Sequence, residues 1–205
     1  PRRCVKAGCA PRWRGWRSGD LSLASTEPVP TIALGADGWT LRAWRESDAP
    51  ALAAHANNIN VWRWMSDSLP HPYTLQMAEY WVTRGHLEFG GGANWAIALR
   101  DEAVGGGGVH PQQGHLRCNA EVGWWLAEAH WGQGIVTQAA AALARHAFDN
   151  PQITRVFAPI HAGNQRSMRV AEKNSFVLEG VQPKSAIKDG QVIDRWVWAT
   201  YRSMT

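Results

Sequence analysis

Cysteine is scarce in this chain. Cys4, Cys9 and Cys118 are three among 205 residues, an odd number without the paired spacing or clustered histidines of a zinc site. Neither a disulfide framework nor a metal centre is expected, and a reducing, cytoplasmic setting fits this usage. Long apolar runs are missing as well: none approaches the ~20 residues that cross a bilayer, so no membrane partner is expected. Acids are absent ahead of Asp20, where Arg2, Arg3, Lys6, Arg12, Arg14 and Arg17 gather. Without an apolar core this segment is no secretory signal, and residues 1–30 read as a basic arm outside the fold, leaving a single domain over 31–205. Those six charges exceed the whole-chain net charge of +4. The body is therefore near neutral or slightly acidic, which gives no ground for a nucleic-acid partner. Tyrosine and phenylalanine number only three and four, against thirteen tryptophans.

What is present supports one core, since 45% of the residues are apolar and a chain of this length buries about 70% of its unfolded surface. Trp39 to Ala43 alternates as a strand. Ser47 or Asp48 caps a helix through about Asn57, and a second helix runs from Leu75 to Arg84. Strands over 94–100 and 103–110 form a hairpin across Asp101-Glu102, and a third runs from Arg117 to Leu126. Then come a long helix from about Gly132 to Asp149, a strand from Arg155 to His161, a helix opened by Asn164, and two strands turning at Lys188-Asp189-Gly190. This order implies an α/β domain: a mixed, mostly antiparallel sheet with helices on both faces. The strands ending at Leu126 and His161 are joined through a helix, which makes them parallel neighbours. Gly90 to Gly92 and Gly105 to Gly108 read as flexible turn and strand-edge material, and most of the tryptophans read as core.

The densest signal is Glu121-Val-Gly-Trp-Trp-Leu126, then Trp131-Gly132-Gln133-Gly134-Ile135-Val136-Thr137 and an alanine-rich helix. Two glycines one residue apart let the backbone bend sharply with its N–H groups bare, and the helix start adds about half a positive charge. The result suits a phosphate or pyrophosphate. A simple turn before a helix is the plainer reading of these two glycines. The second signal is Asn164-Gln-Arg-Ser167-Met-Arg169, where Asn164 has N-cap chemistry.

Taken together these segments resemble the GCN5-related N-acetyltransferase (GNAT) superfamily, which holds the pyrophosphate of acetyl-CoA on a glycine-punctuated turn. The resemblance extends over about residues 38–202 and is closer to the branch of ribosomal-protein-alanine and spermidine acetyltransferases. Its marks are Leu41-Arg42-Ala43-Trp44-Arg45-Glu46-Ser47-Asp48, Leu69-Pro70-His71-Pro72-Tyr73-Thr74 with Ala78-Glu79, the Glu121–Leu126 strand, and Asp194. Trp131 stands where the wider superfamily has Gln or Arg, and Val136, where it has Gly or Ala, crowds the turn. Many members place a tyrosine acid seven residues after the Asn. Here that position is Ala171, which excludes this acid.

The resemblance implies acetyl transfer from acetyl-CoA, as acetyl donor substrate, to a primary amine of a protein N-terminus or a small metabolite, by direct attack in a ternary complex. It implies a splay between the two parallel strands that admits the pantetheine arm, and cofactor contacts from Trp125, Leu126, Ala127, Trp131, Gly132, Gln133, Gly134, Ile135, Val136, Thr137, Asn164, Ser167 and Arg169. A main-chain N–H near Leu126 or Ala127 would polarise the thioester carbonyl. Ser167 would serve the leaving sulfur, with a first-turn residue bonding backbone as its plainer alternative. The base is open. Glu121 is a candidate against a buried, ion-paired acid, and His110 and His161 stand beside it. Asn164 would bond pantetheine, bond the Ser167 loop, or only cap its helix. A non-catalytic acyl-CoA-binding or sensing module of the same fold is the other reading. The scattered acids Asp48, Asp67 and Glu79 disfavour a polyamine acceptor, and the C-terminal strand pair offers a route to a homodimer.

Overall fold

Residues 29–35 and 37–203 are described in a computed structural model. Positions 1–28 of the expected arm lie outside them, while Pro30, at its end, accepts a hydrogen bond from the indole of fully buried Trp95 at 3.0 Å. The elements are β1 (Ile32–Ala33), β2 (Trp39–Arg42), α1 (Ala49–Ala56), α2 (Ile59–Trp62), α3 (Leu75–Tyr80), a π-helical turn (Trp81–Gly85), α4 (His86–Glu88), β3 (Ala93–Leu99), β4 (Glu102–Pro111), β5 (Asn119–Leu126), α5 (Ile135–Asp149), β6 (Arg155–His161), α6 (Gln165–Lys173), β7 (Val177–Lys188) and β8 (Gln191–Tyr201). Eight strands form one sheet in the order β1-β2-β3-β4-β5-β6-β8-β7. All neighbours are antiparallel except β5 and β6, as the helix between those two requires. No helix among the described residues is long and apolar enough to cross a membrane.

The strand period of two divides the core between the sheet's faces. On one face Trp95, Ile97, Val104 and Val122 pack with Ala139, Ala142 and Leu143 of α5 and with Met168 and Ala171 of α6. On the other, Ala96 and Ala103 meet Leu52 and Ala56 of α1, Ala78 of α3 and Val82 of the π-helical turn. Asp189 and Gly190 both have positive φ, 51° and 71°, the primed geometry that suits a two-residue hairpin.

Several expectations are corrected. The β3–β4 turn is Arg100-Asp101, with Leu99 opposite Glu102 and Arg100 at φ 54°. The long helix begins at Ile135, because Gly132 and Gly134 are both left-handed, at φ 82° and 79°. The helix expected over 75–84 is interrupted at Trp81 by the π-helical turn and continues to Glu88, and neither β1 nor α2 was foreseen. Gly105 to Gly108 are neither flexible nor at an edge. They pair with β3 and β5 on both sides, and a Cβ at Gly107 would stand 2.7 Å from Leu143 Cδ1, and at Gly106 2.8 Å from Trp125 Nε1.

One buried ion pair locks the first helix to the sheet. The Arg42 guanidinium donates to both carboxylate oxygens of Asp48 at 2.7 and 2.8 Å and to the Asp101 carbonyl at 2.8 Å. Asp48 also accepts from the Arg45 backbone N–H at 2.8 Å. Both side chains are 4% exposed or less, so removing one partner strands a charge in the interior. Asp48→Ala is expected to lower unfolding free energy by about 3–5 kcal/mol with an unchanged denaturant slope, measured by urea titration.

Candidate active site

The parallel pair is short. β5 and β6 are in register at Asn119–Arg155, Ala120–Val156 and Glu121–Phe157 and at no later position, although β5 runs on to Leu126 with β4 beside it throughout. The Ala127 N–H donates to the Val104 carbonyl at 2.7 Å. Antiparallel bonding alternates along a ladder, so the N–H of Leu126, one residue earlier, points away from β4 and across the opening left by β6. The expected role of Ala127 is corrected on this point: its N–H is consumed by β4 and its side chain is 2% exposed.

A cavity of about 310 Å³ occupies the opening. Leu126, Trp131, Gly132, Gly134, Ile135, Val136 and Thr137 line it from the strand end and the start of α5; Asn164, Ser167 and Arg169 face them from α6. Trp125 borders it as well, whereas Gln133 does not and is exposed. No heavy atom would lie within 4 Å of a Cβ at Gly132 or Gly134, so the turn is open above its backbone. Gly134 caps α5 without any side-chain acceptor, which leaves the first-turn N–H groups and the positive end of a 15-residue helix facing that space. Val136 does crowd the turn from inside: it is half-buried against the core and also borders the cavity.

Trp131 explains how the turn dispenses with Gln or Arg. Its indole N–H donates to the Leu126 carbonyl at 2.7 Å, and the Arg166 guanidinium sits 4.5 Å from its ring centroid, so the aromatic pins the turn to the end of β5 and holds a cation at the cavity rim. Asn164 is 8% exposed and does more than cap α6. Its Oδ1 accepts from the Ser167 N–H at 3.2 Å, and its Nδ2 donates to Ser167 Oγ at 3.0 Å. Because a backbone N–H can only donate, the amide orientation is determined. Ser167 Oγ thus accepts inside the protein and keeps its own hydrogen for a partner in the cavity.

A second cavity, of about 440 Å³, lies on the other side of the same strand end. The two share Trp64, Met65, Trp124, Trp125, Asn164 and Ser167 along their borders. Glu121, His110, His161 and Arg195 line the second one. Glu121 and His110 are directly opposed across β4 and β5, as are His161 and Arg195 across β6 and β8. Burial raises the Glu121 carboxyl above its ordinary range, partly offset by the Arg195 charge. Burial also lowers His110 and His161, the latter further depressed by Lys188 and Arg195, so both rings are neutral at pH 7.

The Acetyltransferase (GNAT) domain family matches residues 39–177. This chain is a member of the GNAT family. It is 42% identical over 65 residues to the ribosomal-protein-serine acetyltransferase of Escherichia coli, a stretch covering 32% of this chain and 36% of that one. The chain therefore spans little more than a third of that relative in the match. It is 25% identical over 169 residues to the uncharacterized N-acetyltransferase YoaA of Bacillus subtilis, covering 81% and 94%. The structure of RimL, a ribosomal L7/L12 alpha-N-protein acetyltransferase in complex with coenzyme A, superposes with a TM-score of 0.72 at 25% identity, over 84% of this chain and 98% of that one.

Within this GNAT domain, Arg166 and Lys173 join Arg169 on the cavity side of α6, spaced three and four residues apart on one helical face. That spacing was visible in the sequence; Arg195 carried no such signal, because tertiary folding alone brings it to the strand end. Only Trp39, Trp44, Trp95 and Trp198 among the described tryptophans are buried. Trp64, Trp81, Trp124, Trp125 and Trp131 are half-buried at the two cavities, and all of these but Trp64 also pack against the core, as most of the tryptophans were expected to do.

Any side chain is strained at the φ of 79° that Gly134 adopts, but Asp and Asn tolerate the left-handed region better than most residues and share that strain, so comparing Gly134→Asp with Gly134→Asn isolates charge. Gly134→Asp is expected to weaken coenzyme A binding by about 100-fold, and Gly134→Asn by under tenfold, both read by isothermal titration calorimetry.

Proposed function

We propose that this protein transfers the acetyl group of acetyl-CoA to a primary amine by direct attack, with the donor in the first cavity and the acceptor in the second. The observation that carries this reading is the meeting of the two cavities at Ser167 beside the unpaired end of β5. The open turn and the N-terminus of α5 take the pyrophosphate, and the Arg166–Arg169–Lys173 face of α6 favours the anionic nucleotide end. Unpaired backbone on β5 bonds the pantetheine amides as an added strand would. The Leu126 N–H, aimed across the splay, stabilises negative charge as it develops on the thioester oxygen.

Glu121 is the base in this scheme. Desolvation makes its carboxylate a stronger proton acceptor than an exposed one, and a single water extends its reach. The amine nitrogen forms the new bond to the acetyl carbon, the carbon–sulfur bond breaks, and the ammonium proton passes to Glu121. Ser167, its oxygen already engaged by Asn164, donates a hydrogen bond to the departing sulfur.

Glu121→Gln is expected to lower kcat by about 10²–10³, with the acid limb of kcat/KM in the parent lying above the usual carboxylate range. The same substitution raises thermal stability near neutral pH. Folding raises the Glu121 pKa, so its charged form opposes folding above that pKa and not below the unfolded value; the gain from Gln therefore disappears in acid. Calorimetric melts at both pH values check this. Ser167→Ala is expected to reduce kcat on the order of 10²-fold while the acetyl-CoA dissociation constant stays within about threefold. Tight coenzyme A binding with no thiol release from any amine would instead favour a non-catalytic acyl-CoA sensor.

A further inference from the structure

The second cavity is walled by rings. Trp44, Trp81, Phe89 and His110 form a continuous edge-to-face series, with centroids 6.3, 5.6 and 5.3 Å apart in turn, and all four line the cavity. This wall is held in place by backbone. Asn94, 6% exposed, donates to the carbonyls of His86 and Phe89 at 2.8 and 3.3 Å. Gly90, at φ 68°, brings the chain so close over His110 that a Cβ would strike its ring at 1.9 Å. Phe89 nevertheless stays 41% exposed, a large apolar surface presented at a cavity and not used by the core. Trp44 is 7% exposed, and among the described residues its indole N–H has no hydrogen-bond partner.

Charge in this cavity is equally selective. Among the described residues, Glu121 is the only carboxylate on its lining and Arg195 the only permanent cation. One ammonium is matched; a second on a long chain would meet the like charge of Arg195. The loop of Ser66 and Ser68, which borders the cavity, is tied to the β7–β8 hairpin through Asp67, whose carboxylate lies 3.1 Å from Lys188 Nζ, itself 3.7 Å from the Trp62 ring centroid. That tie holds the loop against the hairpin and favours a compact acceptor over an extended peptide.

We infer that the acceptor is a small monoamine carrying an aromatic or similarly flat apolar group, its ring stacked along Trp81 and Phe89 and its amine directed toward Glu121 and the shared border at Ser167. The inference rests on the acetyl-transfer reading for its chemistry, but the recognition it describes is measurable without transfer. A cavity of about 440 Å³ falls in the range that encloses ligands of this size, and aromatic contacts there add to simple burial.

The test has two arms on the full chain. Binding of 2-phenylethylamine, spermidine and the tripeptide Ser-Ala-Ala to the coenzyme A complex is followed by calorimetry, and thiol release from acetyl-CoA is measured with the same three amines. Phenylethylamine is expected to bind at least about tenfold tighter than either competitor and to show kcat/KM about 100-fold above spermidine. Phe89→Ala, at an exposed position that leaves the core intact, is expected to weaken phenylethylamine binding about fivefold to tenfold with coenzyme A binding unchanged; Phe89→Leu, which keeps bulk without the ring, recovers only part of the loss. Preference for spermidine or the tripeptide, no saturable phenylethylamine binding, or indifference to Phe89→Ala each overturns the inference. Phenylethylamine binding without thiol release from any amine overturns the transfer reading and leaves the aromatic site standing.

Discussion

Everything distinctive in this molecule depends on one strand having two unequal neighbours. β5 is bonded to β4 along its whole length but to β6 for only three residues. A backbone that leaves its ladder exposes polar groups that must find partners elsewhere, and a fold tolerates this only where something else meets them. Here the Leu126 carbonyl is met by the Trp131 indole, while the N–H groups on the same edge face a cavity. The glycine turn, the start of α5 and the cap of α6 are then brought to that edge by the crossover linking β5 to β6. Both cavities follow from the same departure, one beyond the strand end and one across the sheet face.

The charged groups divide in the same way. Three basic residues lie along α6 at the first cavity, whereas the second holds one acid, Glu121, one cation, Arg195, and two neutral imidazoles, His110 and His161. Ser167 stands between. Its hydroxyl is pre-oriented by a neutral amide, so no charge has to be buried at the junction, where an unpaired one would be costly. Glu121 is the exception, and its raised pKa is the mark of a group held where its charged form is poorly solvated.

The glycine turn and its helix were legible because Gly132 and Gly134 have few roles other than left-handed backbone, and the parallel pair because a helix must separate parallel strands. The Asn164–Ser167 relation was visible as N-cap spacing. Less accessible was anything decided by packing. The interruption at Trp81 leaves the apolar period of the helix nearly intact, so periodicity passes over it. Leu126 and Ala127 were both candidates for the open N–H, and only the β4–β5 ladder, which extends to Ala127, decides between them. Arg195 sits on β8, far along the chain from Glu121, and only the β6–β8 pairing brings them to one cavity.

The glycine run of β4 shows why such misreadings arise at functional places. Intrinsic preference argues against four glycines in the middle of a sheet, and on propensity alone they read as loop. Their surroundings reverse that conclusion: Leu143 rests on Gly107 from one face, while Trp44 and Trp125 approach Gly106 from the other. Gly106, Gly107 and Gly108 also line the second cavity. Side chains at Gly106 and Gly108 would enter the space that the aromatic wall encloses, whereas one at Gly107 would strike Leu143 on the other face. The surplus of tryptophan and the surplus of glycine are therefore one feature: the bare strand supplies a floor flat enough for large rings to stand around it, and the backbone hydrogen bonds to β3 and β5 restore the rigidity that glycine alone would lose.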